Sequence, residues 1–174
     1  MENTELIPNI SVGDFFLGHN IDEYLVYEHE YYSKNTDEFA DDLYEFYSPP
    51  VSIWTNNNHN IIIIGCYKEC YLQGRNLLKM PFEEFLSFYK VVPDYSDKIY
   101  LLVNGRGQNQ MVYDFDQLGL QIWVWRNKIV TVLVSNYEAC DWLNNLHTEG
   151  VATAAILIGR IPGVVIGTGY ISTR

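Results

Sequence analysis

The chain has 174 residues, 48% of them hydrophobic and 15% aromatic, a composition that folds, suits one domain, and excludes wholesale disorder. Its formal charge of −11 speaks against nucleic acid and anionic lipid as partners, since both need a cationic surface. The charge is also polarised: the first fifty residues hold 12 of the 22 acids and one base, Lys34, whereas residues 51–174 hold 10 acids and 10 bases.

Taken in order, residues 1–10 lack both the basic start and the apolar run of a secretory signal. With the odd set Cys66, Cys70 and Cys140, this makes a reducing cytoplasm the expected compartment. The segment Ile21-Asp-Glu-Tyr-Leu25 reads as a short helix. Further on, Asp37, Glu38, Asp41, Asp42 and Glu45 fall at i, i+1, i+4, i+5 and i+8. On a helix they form one anionic stripe beside Phe39, Leu43 and Phe46, although like charges at i,i+4 cost a few tenths of a kcal/mol. A stripe that opposes its own helix points to an external use. With Tyr31, Tyr32, Tyr44 and Tyr47 it offers carboxylates among aromatic anchors, a surface for Lys/Arg-rich protein; plain solubility is the other reading.

Strands are expected over Val51 to Trp54 and Ile61 to Cys66, joined by the turn Thr55 to Asn60, with Cys70-Tyr71-Leu72 running on to Gly74. Pro81 then suits a first helical turn, Glu83 and Glu84 favour its positive end, and Phe82, Phe85, Leu86 and Tyr89 make one apolar face. Lys98 to Val103, Gln110 to Phe115, Leu120 to Trp125 and Ile129 to Ser135 read as four antiparallel strands separated by Gly-, Asn- and Gln-containing turns. Alternate residues on both sides are apolar, as with Ile122 and Val124 against Trp123 and Trp125, so the sheet is expected to be covered on both faces. Tyr137 to His147 can close the second half as a helix. Thr153 to Ile158 and Val164 to Ile171 can pair as a hairpin. Arg160, Pro162 and the surrounding glycines break Val151 to Tyr170 as a membrane span.

The two halves echo each other. A shift of 69 residues sets Tyr44-Glu45-Phe46 on Tyr113-Asp114-Phe115, Ile53-Trp54 on Ile122-Trp123, and Ile61 and Ile63 on Val130 and Val132. A shift of 61 sets Ile21 to Leu25 on Phe82 to Leu86, so the second half carries eight extra residues, with Val91 to Asp97 the expected place. The expected architecture is α+β: one domain over 1–174, built of two similar halves of antiparallel meander sheet plus helix, about 10–80 and 81–150, with an apolar segment at 151–174. The alignment with a strand also implies that any helix carrying the acidic stripe stops near Leu43.

Catalytic signals are thin. Cys140 and His147 on one helix stand two turns, about 10 Å, apart, too far for a thiolate–imidazole pair even with Asp141 beside them. Cys66, Cys70 and His59 offer three zinc ligands but no fourth at a suitable spacing, and Cys66 ends an apolar strand, which favours core thiols. Asp114 and Asp116, at i and i+2 on a strand, either hold a cation or basic group or solvate the strand end. Gly105-Arg-Gly107 and Gly167-Thr-Gly169 lack the strand-to-helix context of a phosphate loop. Trp54, Trp123, Trp125 and Tyr113 lack the cationic groove that base stacking requires. No catalytic set, metal or cofactor is expected.

The stretches Ile10-Ser-Val-Gly-Asp-Phe-Phe-Leu-Gly18, Gly74-Arg-Asn-Leu-Leu78 and Val112-Tyr-Asp-Phe-Asp-Gln-Leu-Gly-Leu-Gln-Ile-Trp-Val124 resemble small bacterial immunity proteins encoded beside polymorphic and contact-dependent growth-inhibition toxins. The resemblance spans most of residues 10–135 and lies in scaffold motifs. It implies a non-catalytic inhibitor that binds one toxin domain, often a basic nuclease, and masks its active site. The repeated strand–helix pattern is similar to the Whirly-type architecture as a matter of fold alone. From the charge asymmetry, the expected toxin contacts are Asp37, Glu38, Asp41, Asp42, Tyr44, Glu45 and Tyr47, with Asp114 and Asp116 as a second set. A small cytoplasmic enzyme using Cys140, His147 or the Asp114/Asp116 pair, and a non-catalytic adaptor or single-strand nucleic-acid-binding-like module, are the alternatives; the oligomeric state is open.

Overall fold

The computed structural model describes residues 4–33 and 42–136 together with the backbone of the strand Val164–Ile166. The described residues are mostly antiparallel β-sheet with one short α-helix, an α+β arrangement dominated by strands. Three two-residue strands, β1 (Leu6–Ile7), β2 (Ser11–Val12) and β3 (Phe15–Phe16), form a small sheet. A single 3-10 turn, Ile21–Glu23, follows, with the Asn20 side chain accepting from the Asp22 N–H at 2.9 Å.

The main sheet starts with a meander of β4 (His29–Tyr32), β5 (Asp42–Tyr47), β6 (Pro50–Thr55) and β7 (Ile61–Cys66). A two-stranded ribbon, β8 (Tyr71–Leu72) and β9 (Arg75–Asn76), leads to α1 (Phe82–Tyr89). A second meander comprises β10 (Tyr95–Val103), β11 (Arg106–Phe115), β12 (Leu120–Trp125) and β13 (Lys128–Ser135), and β14 (Val164–Ile166) adds to β10. The order across the nine-stranded sheet is β14-β10-β11-β12-β13-β7-β6-β5-β4, so the meanders meet on their last strands, with Leu133 opposite Gly65 and Ser135 opposite Ile63.

Turn chemistry sets the hairpins. Asn104-Gly105 and Arg126-Asn127 both take positive φ, at 49° and 72° and at 49° and 62°, the two-residue geometry that matches strand twist. Between β6 and β7 the Asn56 carboxamide oxygen accepts from the N–H groups of Asn58 and Asn60 at 2.9 and 3.0 Å. The sequence period of two then divides the side chains. The first face packs Tyr44, Phe46, Val51, Ile53, Ile122, Val132 and Val134 against Phe15, Ile21 and Tyr24 and against Phe82 and Phe85 of α1. On the second face Leu43, Trp54, Ile63 and Leu133 form one buried cluster and Ile99, Leu101, Val112 and Trp123 another.

The registers of the meanders run in parallel. Glu45 faces Ser52 and Phe46 faces Val51; 69 residues on, Asp114 faces Gln121 and Phe115 faces Leu120. The pairing with the next strand shifts after Trp54 in β6 and after Trp123 in β12. Among the described residues no helix is long and apolar enough to cross a membrane.

Candidate functional site

Asp42 to Glu45 are strand residues of β5, so the helical stripe does not hold over them. Successive side chains point to opposite faces, which separates Asp42 and Tyr44 from Glu45 and Tyr47. The pattern that decides is the alternation of Leu43, Glu45 and Tyr47 against Tyr44 and Phe46, and the pairing energy of a sheet interior outweighs a helix weakened by its own charges. Asp37, Glu38 and Asp41 lie outside the described residues, as do Cys140, Asp141, His147 and the helix expected over 137–147.

On the first face, the Tyr31 ring lies 4.9 Å from that of Tyr44 and its hydroxyl donates to Asp42 Oδ1 at 3.1 Å. Burial, and then the Asp42 hydrogen bond, push the Tyr31 phenol up. Tyr44 itself is buried and packs on His29, so it is a core anchor and not a surface contact.

The second face holds the unusual chemistry. Glu45 stands between two direct cross-strand neighbours, Ser52 on β6 and Glu30 on β4. The Ser52 Oγ lies 2.7 Å from both Glu45 carboxylate oxygens, so a single hydroxyl proton serves two acceptors. The hydroxyls of Tyr32 and Tyr47 converge on Glu30 and hold its carboxyl below the usual range, while Tyr47 itself is pushed up to about 12. Glu45 moves the other way: burial raises its pKa most, Ser52 opposes, and the Glu30 charge adds to the rise.

Beside this pair the Tyr67 ring folds over Gly65. A Cβ at residue 65 would sit 2.8 Å from the Tyr67 hydroxyl and 2.9 Å from Trp54 Cζ3, so glycine is what lets the two rings approach. The Tyr67 hydroxyl is buried and makes no hydrogen bond of sound geometry, although Ser52 and Glu45 are its neighbours. Burial, then the Glu45 charge, drive its pKa well above the ordinary phenol value. Two carboxylates directly opposite in a sheet repel, and among the described residues the ion pairs are His19–Glu23 and Arg75–Glu84, neither of which touches them.

The second meander shows that the fold does not demand this arrangement. Where Glu30 faces Glu45, Tyr95 faces Asp114. Trp123 Nε1 donates to Gln121 Oε1 at 2.9 Å, and Gln121 Nε2 donates to Asp114 Oδ1 at 2.8 Å, which closes a satisfied network. Asp114 is buried there. Asp116 is exposed at the start of a 3-10 turn, Asp116–Leu118, and its N–H donates to the Asp94 carboxylate at 2.8 Å. The two therefore share no strand face, because the strand ends at Phe115 and the turn breaks the alternation.

Glu45→Gln is expected to stabilise the free protein at neutral pH by up to about 1 kcal/mol, solvent screening at the half-buried carboxyl limiting the gain. The sign follows from the raised pKa. Between the ordinary Glu value and the folded one, the native state binds the extra proton, so stability falls as pH rises through that window and the charged form carries the full penalty above it. Urea denaturation of wild type and variant should diverge as pH rises from acid to neutral. A variant less stable than wild type at neutral pH contradicts the assignment.

Cys66 and Cys70 are free and buried, and the Cys70 thiol is pushed well up by its hydrogen bond with Cys66 and by burial. His59 belongs to the β6–β7 turn, and among the described residues no three His, Cys, Asp or Glu side chains converge as metal ligands. Glu30, Ser52 and Tyr67 are the members of the cluster that sequence reasoning passed over. The i,i+2 recurrence of Glu30 and Tyr32 was its only local signal. No protein-family model matches the chain, and neither a curated protein nor a solved structure matches it.

Proposed function

We propose that this protein is an immunity protein that binds a cationic toxin domain, of the nuclease type, and neutralises it by masking. The observation that carries the reading is the uncompensated acid of the N-terminal segment, which on β4 and β5 takes the form of the Glu30–Glu45 pair ringed by Tyr32, Tyr47 and Tyr67. Carboxylates spaced among aromatic rings speed encounter with a basic surface and supply planar contacts once docked. Among the described residues β4 is the outer strand of this end of the sheet, so a partner that wraps the edge reaches Asp42 on one face and Glu45 and Tyr47 on the other; Asp37, Glu38 and Asp41, outside the described residues, belong to the proposed contact set by their charge alone.

The same reading takes the chain as two copies of one unit, about residues 10–80 and 81–150, in a Whirly-like arrangement joined at β7 and β13. Its support is the common register and the common shift after Trp54 and Trp123. By that alignment Glu30 corresponds to Tyr95, 65 residues on, and Glu45 to Asp114, 69 on. Four of the eight extra residues then enter ahead of β10 and four within the β10–β11 hairpin, instead of all between Val91 and Asp97.

The tagged full chain, used as bait in an extract of its own cells and washed at low and at high salt, is expected to retain a basic toxin domain that is released as salt rises. Retention of no protein, or of one indifferent to salt, contradicts the proposal.

A further inference from the structure

We propose that the second face at Glu45, Ser52 and Tyr67 seats one arginine side chain of the cationic partner, the guanidinium lying on the Glu30–Glu45 carboxylates. The inference rests on the proposed function for the source of the arginine, but its chemistry stands on the site alone. Three observations converge. The carboxylates of Glu30 and Glu45 occupy directly opposed positions and form no ion pair among the described residues. Glu45 receives one hydroxyl proton for two oxygens, which leaves lone pairs open. Independently, the Tyr67 hydroxyl, shut off from solvent beside Glu45 and Ser52, makes no hydrogen bond of sound geometry, which costs free energy unless a ligand or a rearranged neighbour such as Ser52 satisfies it.

The geometry favours guanidinium over ammonium. A planar fork with five N–H donors can serve two carboxylates on adjacent strands at once, and it stacks on aromatic rings such as those of Tyr47 and Tyr32. An ammonium is a strongly hydrated point charge that gains less from leaving water. The partner's guanidinium supplies a cation to a pair that makes no ion pair among the described residues, so repulsion between the acids gives way to attraction in the complex. Its counterpart, Asp114 with Gln121 and Trp123, has no such vacancy of donors, and no second arginine seat is inferred there.

The test uses the isotope-labelled full chain and methylguanidinium chloride, with methylammonium chloride at matched ionic strength as control, read by NMR at the backbone amides of Ser52 and Gly65. Methylguanidinium should give saturable shifts with an apparent Kd in roughly the millimolar range, at least about fivefold tighter than methylammonium. Glu45→Gln should abolish the saturable shift while melting no lower than wild type, and Tyr67→Phe should weaken it. A linear response, an equal response in Glu45→Gln, or a Glu45→Gln protein that melts below wild type overturns the inference. A Glu45→Gln protein that still captures the toxin while wild type shows no guanidinium shift sinks this seat and leaves the proposed function standing. Failure of wild type to capture any toxin, with the guanidinium shifts intact, does the reverse.

Discussion

Gly119→Ala is expected to cost about 3 kcal/mol or more, a large share of the stability of a domain this size, as urea denaturation followed by circular dichroism would measure. Gly119 ends the Asp116–Leu118 turn at φ 59° and ψ 36°, the left-handed region that penalises a Cβ by itself. Here the added carbon also meets the Ser135 carbonyl oxygen and Asn9 Oδ1 inside contact distance. Neither can retreat cheaply. The Ser135 N–H donates to the Gly119 carbonyl at 2.9 Å, and the Gly119 N–H to Asp116 at 3.1 Å. Ser135 is paired with Ile63 across the β7–β13 seam, while Asn9 Nδ2 donates to the Gln117 carbonyl at 2.9 Å and ties the N-terminal segment to this corner. Relief of the clash must therefore disturb either the seam or that tie. Gly74→Ala is the control: its φ is 74° and nothing lies within 4 Å, so only the backbone penalty of about 1 kcal/mol applies. Equal losses at the two positions would show that the Ser135 contact is absorbed.

The contrast between readable and unreadable parts follows from the range of the interactions. β6, β7 and β10 to β13 are written locally, as apolar and β-branched runs punctuated by Asn and Gly, and α1 as the spacing of Phe82, Phe85, Leu86 and Tyr89 after Pro81. β5 carries two signals at once: acids at i,i+4 and apolar residues at i,i+2. The strand prevails because Tyr44 and Phe46 fill the first face and Leu43 the second. The two-residue strands β1, β2, β3, β8 and β9 are too short to show any period. The Glu30–Glu45 opposition and the approach of Tyr67 to Ser52 depend on which strand adjoins which and in what register. Register is set by the whole sheet and not by a window of sequence. The acid was legible as charge; that it would be pressed against its own kind on neighbouring strands was not.

Trp54 and Trp123 occupy equivalent register positions and are equally buried, at 1% and 0% exposure, yet Trp123→Phe is expected to be the more damaging by about 1–3 kcal/mol. Both substitutions shrink a large ring inside a packed sheet face, and that cavity cost is of similar size in each. What differs is the indole N–H. Trp123 Nε1 donates to Gln121 Oε1, and Gln121 in turn donates to the buried Asp114 carboxylate, so Trp123→Phe strands the carboxamide oxygen and loosens the group that holds a buried acid. Trp54 Nε1 is buried with no acceptor, so Trp54→Phe removes an unsatisfied donor and recovers part of its packing loss. Denaturation midpoints of the two single variants, measured with unchanged m-values, decide the matter. Equal losses would mean that the Gln121 network adds nothing beyond packing; a larger loss at Trp54 would mean that its contact with Gly65 and Tyr67 dominates, so that the ring pair beside Glu45 is the tighter half of the sheet.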